Sequence, residues 1–293
     1  MTQLAHMEQY LAPASLEQAL ACLQQAAGDV TILAGGTDLM PQQQAGRLKP
    51  KSTLMNIRRI AELKGVTLAD GVVHIGALTT ITELMDNALL RHHMLLLAEA
   101  GDHFASNQIR NAGTIGGNIC NASPAGDMLV PLLVLDAKAE LASLVDGKIH
   151  KRSMPLTEFF VGPGKTSRAP TELLTGVSIA LPPNNFTARF FKFGTRPALD
   201  ISAISIGVGG VLRNGTLSDV RVAFGAVAAT PVRGRQTEAA LEGKQLDAAT
   251  IELAASAARD EVHPIDDVRA SAWYRKQLIH NMTKRILSHV AKD

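Results

Sequence analysis

The chain has 293 residues, of which 46% are hydrophobic, enough to bury a large core and to divide into about two domains. Its 29 basic and 27 acidic residues leave a net charge of +2 with no long run of either sign, which argues against nucleic acid or an anionic membrane as the main partner. Only Cys22 and Cys120 are present, so there is no disulfide framework and no thiolate cluster for zinc or iron–sulfur, and a reducing, cytoplasmic setting fits best.

The N-terminal MTQLAHMEQY lacks the basic-then-apolar order of a signal peptide, and no apolar run approaches the ~18 residues of a membrane span, so a soluble chain is expected. Ser15-Leu-Glu-Gln18 has the form of a capping box, and Leu16, Leu20 and Leu23 follow at helical spacing, predicting a helix over about 15–27. The β-rich run Val30–Leu33 ends in Ala34-Gly35-Gly36-Thr37-Asp38-Leu39, after which Pro41 suits the first turn of a helix, and residues 52–55 begin a return strand. Strand patterns recur at 71–75, 139–143 and 174–181, and Thr80-Ile-Thr-Glu83 is a second capping box with Ile81, Leu84 and Met85 inward. Pro182-Pro183-Asn184-Asn185 interrupts the pattern and reads as a linker. Beyond it, apolar runs at 201–211 and 217–226 flank Arg213-Asn214-Gly215-Thr216, where Asn-Gly predicts a hairpin. Helical runs over 248–260 and 270–290 close the chain, the second with Tyr274, Leu278, Met282, Ile286 and Val290 at every fourth position. Interspersed helices and strands predict an α+β or α/β class, with a strand-rich C-terminal third backed by helices.

Two glycine-rich stretches carry the chemical signal. At Ala34–Leu39 the glycines allow left-handed backbone and let a phosphate approach main-chain N–H groups; alone, this Gly-Gly also reads as a tight turn between strand and helix. The longer stretch Asn111–Asp127 reads NAGTIGGNICNASPAGD, a loop in which Thr114 and Asn118 can donate to phosphate or carbonyl oxygens while Gly116 and Gly117 expose their amides. Asn121, Ser123 and Asp127 extend the polar supply, and a carboxylate accepts strongly from sugar-type hydroxyls. From composition alone, a decorated surface loop is the alternative.

Other constellations are thin. Neither GxGxxG nor GxxxxGK[ST] occurs, and Gly207, Gly209 and Gly210 lie in a strand pattern with no helix behind it, so they are read as a bulge or a close sheet contact. Among nine histidines, His92 and His93 are adjacent rather than three or four apart, which favours solvated surface over a metal pair, and no metal site is expected in this chain. There is no HExxH or GxSxG, Cys120 is read as a small buried thiol, and Trp273 as a packing or subunit-contact residue.

Together, AGGTDL at Ala34–Leu39 and IRNAGTIGGNICNASPAGD at Ile109–Asp127 resemble the FAD-binding (medium) subunit of the molybdenum hydroxylases, the family of xanthine dehydrogenase, aerobic carbon monoxide dehydrogenase and bacterial N-heterocycle dehydrogenases. Tyr10-x-x-Pro13-x-Ser15-Leu16, Phe160-x-Gly-Pro-Gly-Lys165-Thr166, Glu172-Leu173-Leu174 and Phe191-Lys192 extend the resemblance over nearly the whole chain. It implies an α+β fold: an FAD-binding region of the vanillyl-alcohol-oxidase (PCMH) type over 1–182, with subdomains of about 1–58 and 59–182, then a C-terminal α+β domain over 186–293 with antiparallel sheet and helices. By position it implies one FAD clamp at Leu33, Ala34, Gly35, Gly36, Thr37, Asp38 and Leu39, and a second at Thr114, Ile115, Gly116, Gly117, Asn118, Asn121 and Ser123. Asp127 matches the acid that holds FAD hydroxyls, and Leu174 and Lys192 match positions lining the cofactor site. Thr37-Asp38 departs from the His-Ser of carbon monoxide dehydrogenases, which disfavours that particular activity.

The same resemblance implies two partners, an iron–sulfur small subunit with [2Fe-2S] clusters and a molybdopterin-binding large subunit, in a dimer of heterotrimers. Electrons would pass from the clusters through FAD to an acceptor such as NAD, oxygen or a quinone, with no side chain of this chain acting as general acid or base. A stand-alone FAD-dependent oxidase of the vanillyl-alcohol-oxidase type is the alternative, but it calls for a base beside the flavin and commonly a His or Cys tether, and no such set is evident. A scaffold that has lost FAD is a third reading, against which the intact glycines of both loops speak.

Overall fold

The computed structural model describes residues 7–49, 51–196 and 199–292; residues 1–6, on which part of the N-terminal reading rests, lie outside them. Three parallel strands open the chain, β1 (Gln9–Leu11), β2 (Val30–Leu33) and β3 (Thr53–Asn56), in the order β1-β3-β2. Parallel neighbours need crossovers, and helices α1 (Leu16–Gln25) and α2 (Leu39–Gln44) supply them. Ser15 caps α1 by accepting from the Gln18 N–H at 3.2 Å, while the Gln18 side chain accepts from Ala14 rather than from Ser15. Leu16, Ala19, Leu20 and Leu23 pack with Met55, Ile57 and Ile60 in a small core of their own.

A second, antiparallel sheet begins with β4 (Val66–Ala69) and β5 (Val72–Gly76). Six short helices follow: α3 (Ile81–Asp86), α4 (Ala88–His93), α5 (Leu95–Asp102), α6 (Asn107–Arg110), α7 (Ile115–Asn121) and α8 (Leu129–Val134). The capping box at α3 forms as read, with Thr80 accepting from the Glu83 N–H at 3.2 Å and Glu83 accepting from the Thr80 N–H at 2.7 Å. The chain then returns through β6 (Lys138–Val145), β7 (Lys148–Pro155), α9 (Leu156–Phe159), the small hairpin β8 (Phe160–Gly162) and β9 (Lys165–Thr166), and β10 (Leu173–Ala180). The five-stranded order is β4-β5-β10-β6-β7, and five of the six helices, all but α6, contribute to the core packed on it around Ile75, Leu97, Ile115, Leu132 and Val177.

Past the Pro-Pro-Asn-Asn break, β11 (Phe186–Phe193), β12 (Ile204–Arg213), β13 (Thr216–Gly225) and β14 (Val232–Arg233) form an antiparallel sheet, followed by α10 (Arg235–Leu241), β15 (Lys244–Gln245), α11 (Ala248–Glu261) and α12 (Ala272–Val290). The hairpin turn is where the sequence puts it, with Asn214 and Gly215 both in the left-handed region that such two-residue turns require. Gly207 and Gly209 are the close contact expected of them. A Cβ there would lie 2.9 and 2.8 Å from the methyls of Val134, so α8 rests directly on β12, and the β12–β13 register shifts between Gly209 and Val211. The opposite face carries Ile204, Ile206 and Val208 into a separate core with α11 and α12. No helix among the described residues is long and apolar enough to cross a membrane.

The last helix begins at Ala272, two residues later than the periodicity suggests, because Asp267 holds the preceding segment in a turn. Its carboxylate accepts from the N–H groups of Arg269 at 2.8 Å and Ala270 at 3.2 Å and from the Arg275 guanidinium at 2.6 Å. Burial works against the ionised form, but these donors together bring its pKa down to about 2. An acid whose folded pKa lies below its unfolded value contributes stability that is complete above the unfolded pKa and lost as pH falls through the folded one. Asp267→Asn is therefore expected to flatten the acid limb of stability between about pH 5 and 2, read as the thermal midpoint against pH; an unchanged limb would remove Asp267 from the acid response.

Candidate functional site

The first glycine-rich turn lies at the carboxyl end of β2, where the chain leaves the parallel sheet for α2. Gly36 is left-handed (φ +75°), a conformation glycine adopts without strain. The N–H groups of Gly35, Gly36, Thr37 and Asp38 have no protein acceptor among the described residues. Four consecutive unsatisfied donors in a tight turn form a concavity suited to an anion. Leu33 accepts from Ile57 through its carbonyl, Ala34 is half-buried, and Leu39 opens α2.

The second stretch corrects the expectation of an open loop. Thr114 caps a helix, α7, by accepting from the Gly117 N–H at 3.1 Å, and the Gly116 N–H donates to Ala77 O at 2.9 Å. Both amides expected to be exposed are thus occupied within the protein. Gly116 is needed for packing: a Cβ there would lie 2.6 Å from Ala77 Cβ and 2.7 Å from Ala77 O. Gly117 lies on the exposed side of α7, where a Cβ would meet only the Thr114 hydroxyl, at 3.0 Å. Ile115 belongs to the core beneath.

The two stretches meet. A Cβ on Gly35 would stand 2.1 Å from Ala112 O and 3.0 Å from Gly113 Cα, so the main chains touch and nothing larger than glycine fits between them. Gln42, one turn into α2, donates to the Asp38 carboxylate and lies 3.5 Å from Asn121 Oδ1 on α7. Asn118 Oδ1 is buried without a hydrogen-bond partner, a costly state that a bound donor would relieve. Gln42 was not singled out from sequence, although its i,i+4 spacing from Asp38 on a helix was legible.

After α7, which ends at left-handed Ala122, Ser123 accepts from the Ala125 N–H at 3.3 Å. The β8–β9 hairpin leans on this corner through Gly164 N–H to Ala122 O at 3.1 Å. Asp127 is already committed within the chain. Its Oδ2 accepts from Lys192 Nζ at 2.7 Å and its Oδ1 from Ser202 at 2.9 Å, tying the end of the second stretch to β11 and to the segment that leads into β12. Burial pushes the Asp127 pKa up, against the pull of Lys192, Ser202 and His103. Lys192 is itself almost wholly buried, donates also to His103 O at 3.0 Å, and forms part of the wall of a cavity of about 380 Å³ shared with His103, Phe193 and Thr195.

Leu174 packs its side chain into the core of the second sheet and is 3% exposed, leaving only its main chain for any ligand. The reading of Cys120 as a buried thiol is corrected. As a residue Cys120 is exposed on α7, while the protein packed around its thiol pushes the pKa up to about 11 against the attraction of Arg168. Trp273 is 69% exposed and packs into no core of this chain.

A family model described as FAD binding domain in molybdopterin dehydrogenase matches residues 5–182, and one described as CO dehydrogenase flavoprotein C-terminal domain matches residues 189–290. The xanthine dehydrogenase FAD-binding subunit of Escherichia coli O157:H7 is 36% identical over 261 residues, covering 88% of this chain and 87% of that protein. The nicotinate dehydrogenase FAD-subunit of Eubacterium barkeri is 32% identical over 284 residues, covering 95% and 94%. A solved structure of carbon monoxide dehydrogenase from Hydrogenophaga pseudoflava superposes with a TM-score of 0.90 at 31% identity, covering 96% of each chain. With both regions matched in chain order and the two glycine-rich turns in contact, the chain belongs to the FAD-binding medium-subunit family of the molybdenum hydroxylases, oxidoreductases of the xanthine and carbon monoxide dehydrogenase type.

Proposed function

We propose that this chain is the flavoprotein subunit of a molybdenum-dependent dehydrogenase complex, receiving electrons from iron–sulfur clusters of a partner subunit and delivering them to an acceptor such as NAD. The observation that carries the reading is the contact between the turn of four free amides at Gly35–Asp38 and the backbone of Ala112–Gly113. The residues present fit FAD. The free amides of the first turn take the diphosphate, Asn118 and Asn121 supply side-chain polarity beside it, and the half-exposed helix α7 contributes surface without bulk at Gly117. Ser123, Asp127 and Lys192 shape the far end of the site, with Asp127 keeping lone pairs beyond those given to Lys192 and Ser202. Bound FAD supplies the redox chemistry; the protein binds, orients and tunes it.

In this reading the cofactor region runs over 1–182 and the C-terminal domain over 186–293, and the chain works in the cytoplasm within a dimer of heterotrimers with an iron–sulfur small subunit and a molybdopterin-binding large subunit. Names such as FAD-subunit and medium chain among the relatives support a multi-subunit setting. Co-expression with the neighbouring reading frames and purification through a tag on this chain tests it. Stoichiometric FAD with co-purifying iron and molybdenum is expected, and anaerobic NADH should bleach the flavin bands. A flavin-bearing chain that brings no iron or molybdenum would overturn the complex, and one free of flavin would overturn the whole reading.

A further inference from the structure

We propose that Arg275 is a positioning residue of the cofactor site, acting through Ala226 on the turn that carries Ser123 and Asp127; this rests on the reading of that turn as part of the FAD site. Arg275 sits in the first turn of α12, where a cation opposes the helix dipole, yet it is 4% exposed. Trp273 in the same turn is 69% exposed and Val268 just before the helix 99%, whereas the Arg275 side chain turns inward. A buried guanidinium is retained only against specific acceptors, and a site needing bulk alone is served better by an apolar side chain.

The acceptors are Asp267 Oδ1 at 2.6 Å and Ala226 O at 2.9 Å, while the Arg275 Nε–H is buried with no partner. Ala226 is the informative one. It is a non-glycine residue in the left-handed region (φ +62°), a conformation its Cβ disfavours. It is held there from both sides: its carbonyl takes Arg275, and its N–H donates to Pro124 O at 2.7 Å. Pro124 follows Ser123, whose carbonyl accepts from the Gly126 N–H at 2.9 Å, and the next residue is Asp127. The segment has no slack, since a Cβ on Gly225 would lie 2.3 Å from Ser205 Oγ and 2.9 Å from Val130 Cγ2. A shift of the Ala226 carbonyl therefore passes into the 123–127 turn.

The test is FAD titration of the deflavinated full chain, read by flavin fluorescence, for wild type, Arg275→Met, Arg275→Lys, Asp127→Asn and the Arg275→Met/Asp127→Asn pair, with thermal unfolding of each deflavinated protein alongside. Arg275→Met is expected to weaken FAD binding roughly tenfold, and Arg275→Lys, which reaches one of the two acceptors, to lose less; in the Asp127→Asn background the Arg275→Met effect should shrink to roughly twofold. Effects on binding that multiply across the pair, or a fall in thermal midpoint with FAD affinity unchanged, would overturn the proposal. If Arg275→Met does not fold, the same cycle is read with Arg275→Lys. A wild-type chain that takes up no FAD defeats the cofactor reading before any variant is compared.

Discussion

Gly117→Val is expected to fold with a thermal midpoint within about 4 °C of the wild type and to purify without flavin. The added Cβ meets only the Thr114 hydroxyl, at 3.0 Å, so the internal cost is at most the helix cap, about 1 kcal/mol, partly offset by valine's better helix propensity. What the substitution destroys lies outside the protein's own packing. It puts a branched side chain on the exposed side of α7, the helix that follows the Gly35–Ala112 contact and faces α2 at Gln42–Asn121. Gly35→Ala is the contrasting case. Its methyl would enter the space of Ala112 O, forcing the two turns apart, and overpacking of this kind costs ~1–3 kcal/mol, so stability and flavin should fall together. Flavin absorbance per chain and the thermal midpoint of the deflavinated proteins separate the two. Wild-type FAD content in Gly117→Val would take α7 out of the cofactor site.

The elements legible from sequence are those whose signal is local. β2 lies on its β-branched run, β10 and β13 within a residue or so of theirs, and both Asn-Gly and the capping box at Thr80 form as read. β7 escaped because Lys148–Pro155 is exposed along nearly its whole length and has no apolar alternation, although Asp146-Gly147, both left-handed, marked the turn before it. Helices α4 to α6 escaped because each is short, at most eight residues, and the break at buried Met94 disrupts any single periodicity. α7 was misread for a physical reason. Two adjacent glycines are poor helix formers, and only the Thr114 cap and the fit of Gly116 against Ala77, a contact made across the fold, make this stretch helical. The same limit governed the site. The glycines were visible, but not that both amides of the second pair are bonded within the protein while those of the first are left free.

The pairing of Asp127 with Lys192, 65 residues apart, had no sequence signal, and it carries the second large effect. Lys192→Met leaves the Asp127 carboxylate buried with Ser202 as its remaining side-chain donor, and breaking a buried pair by removing one partner costs ~3–5 kcal/mol. The pH dependence follows from the direction of the Asp127 shift. Burial already holds its folded pKa above the unfolded value even with Lys192 in place, and loss of the ammonium raises it further. An acid raised on folding opposes the folded state where it is ionised, above its folded pKa, and that penalty fades as pH falls toward the unfolded value. Lys192→Met should therefore be most destabilised near about pH 8 and recover part of the loss near about pH 5. Asp127→Asn combined with Lys192→Met removes the stranded charge and should be more stable than Lys192→Met alone at the higher pH. Urea unfolding of the full chain at both pH values measures this. Equal destabilisation at the two, with no gain in the double variant, would mean that the carboxylate does not stay buried once its partner is gone.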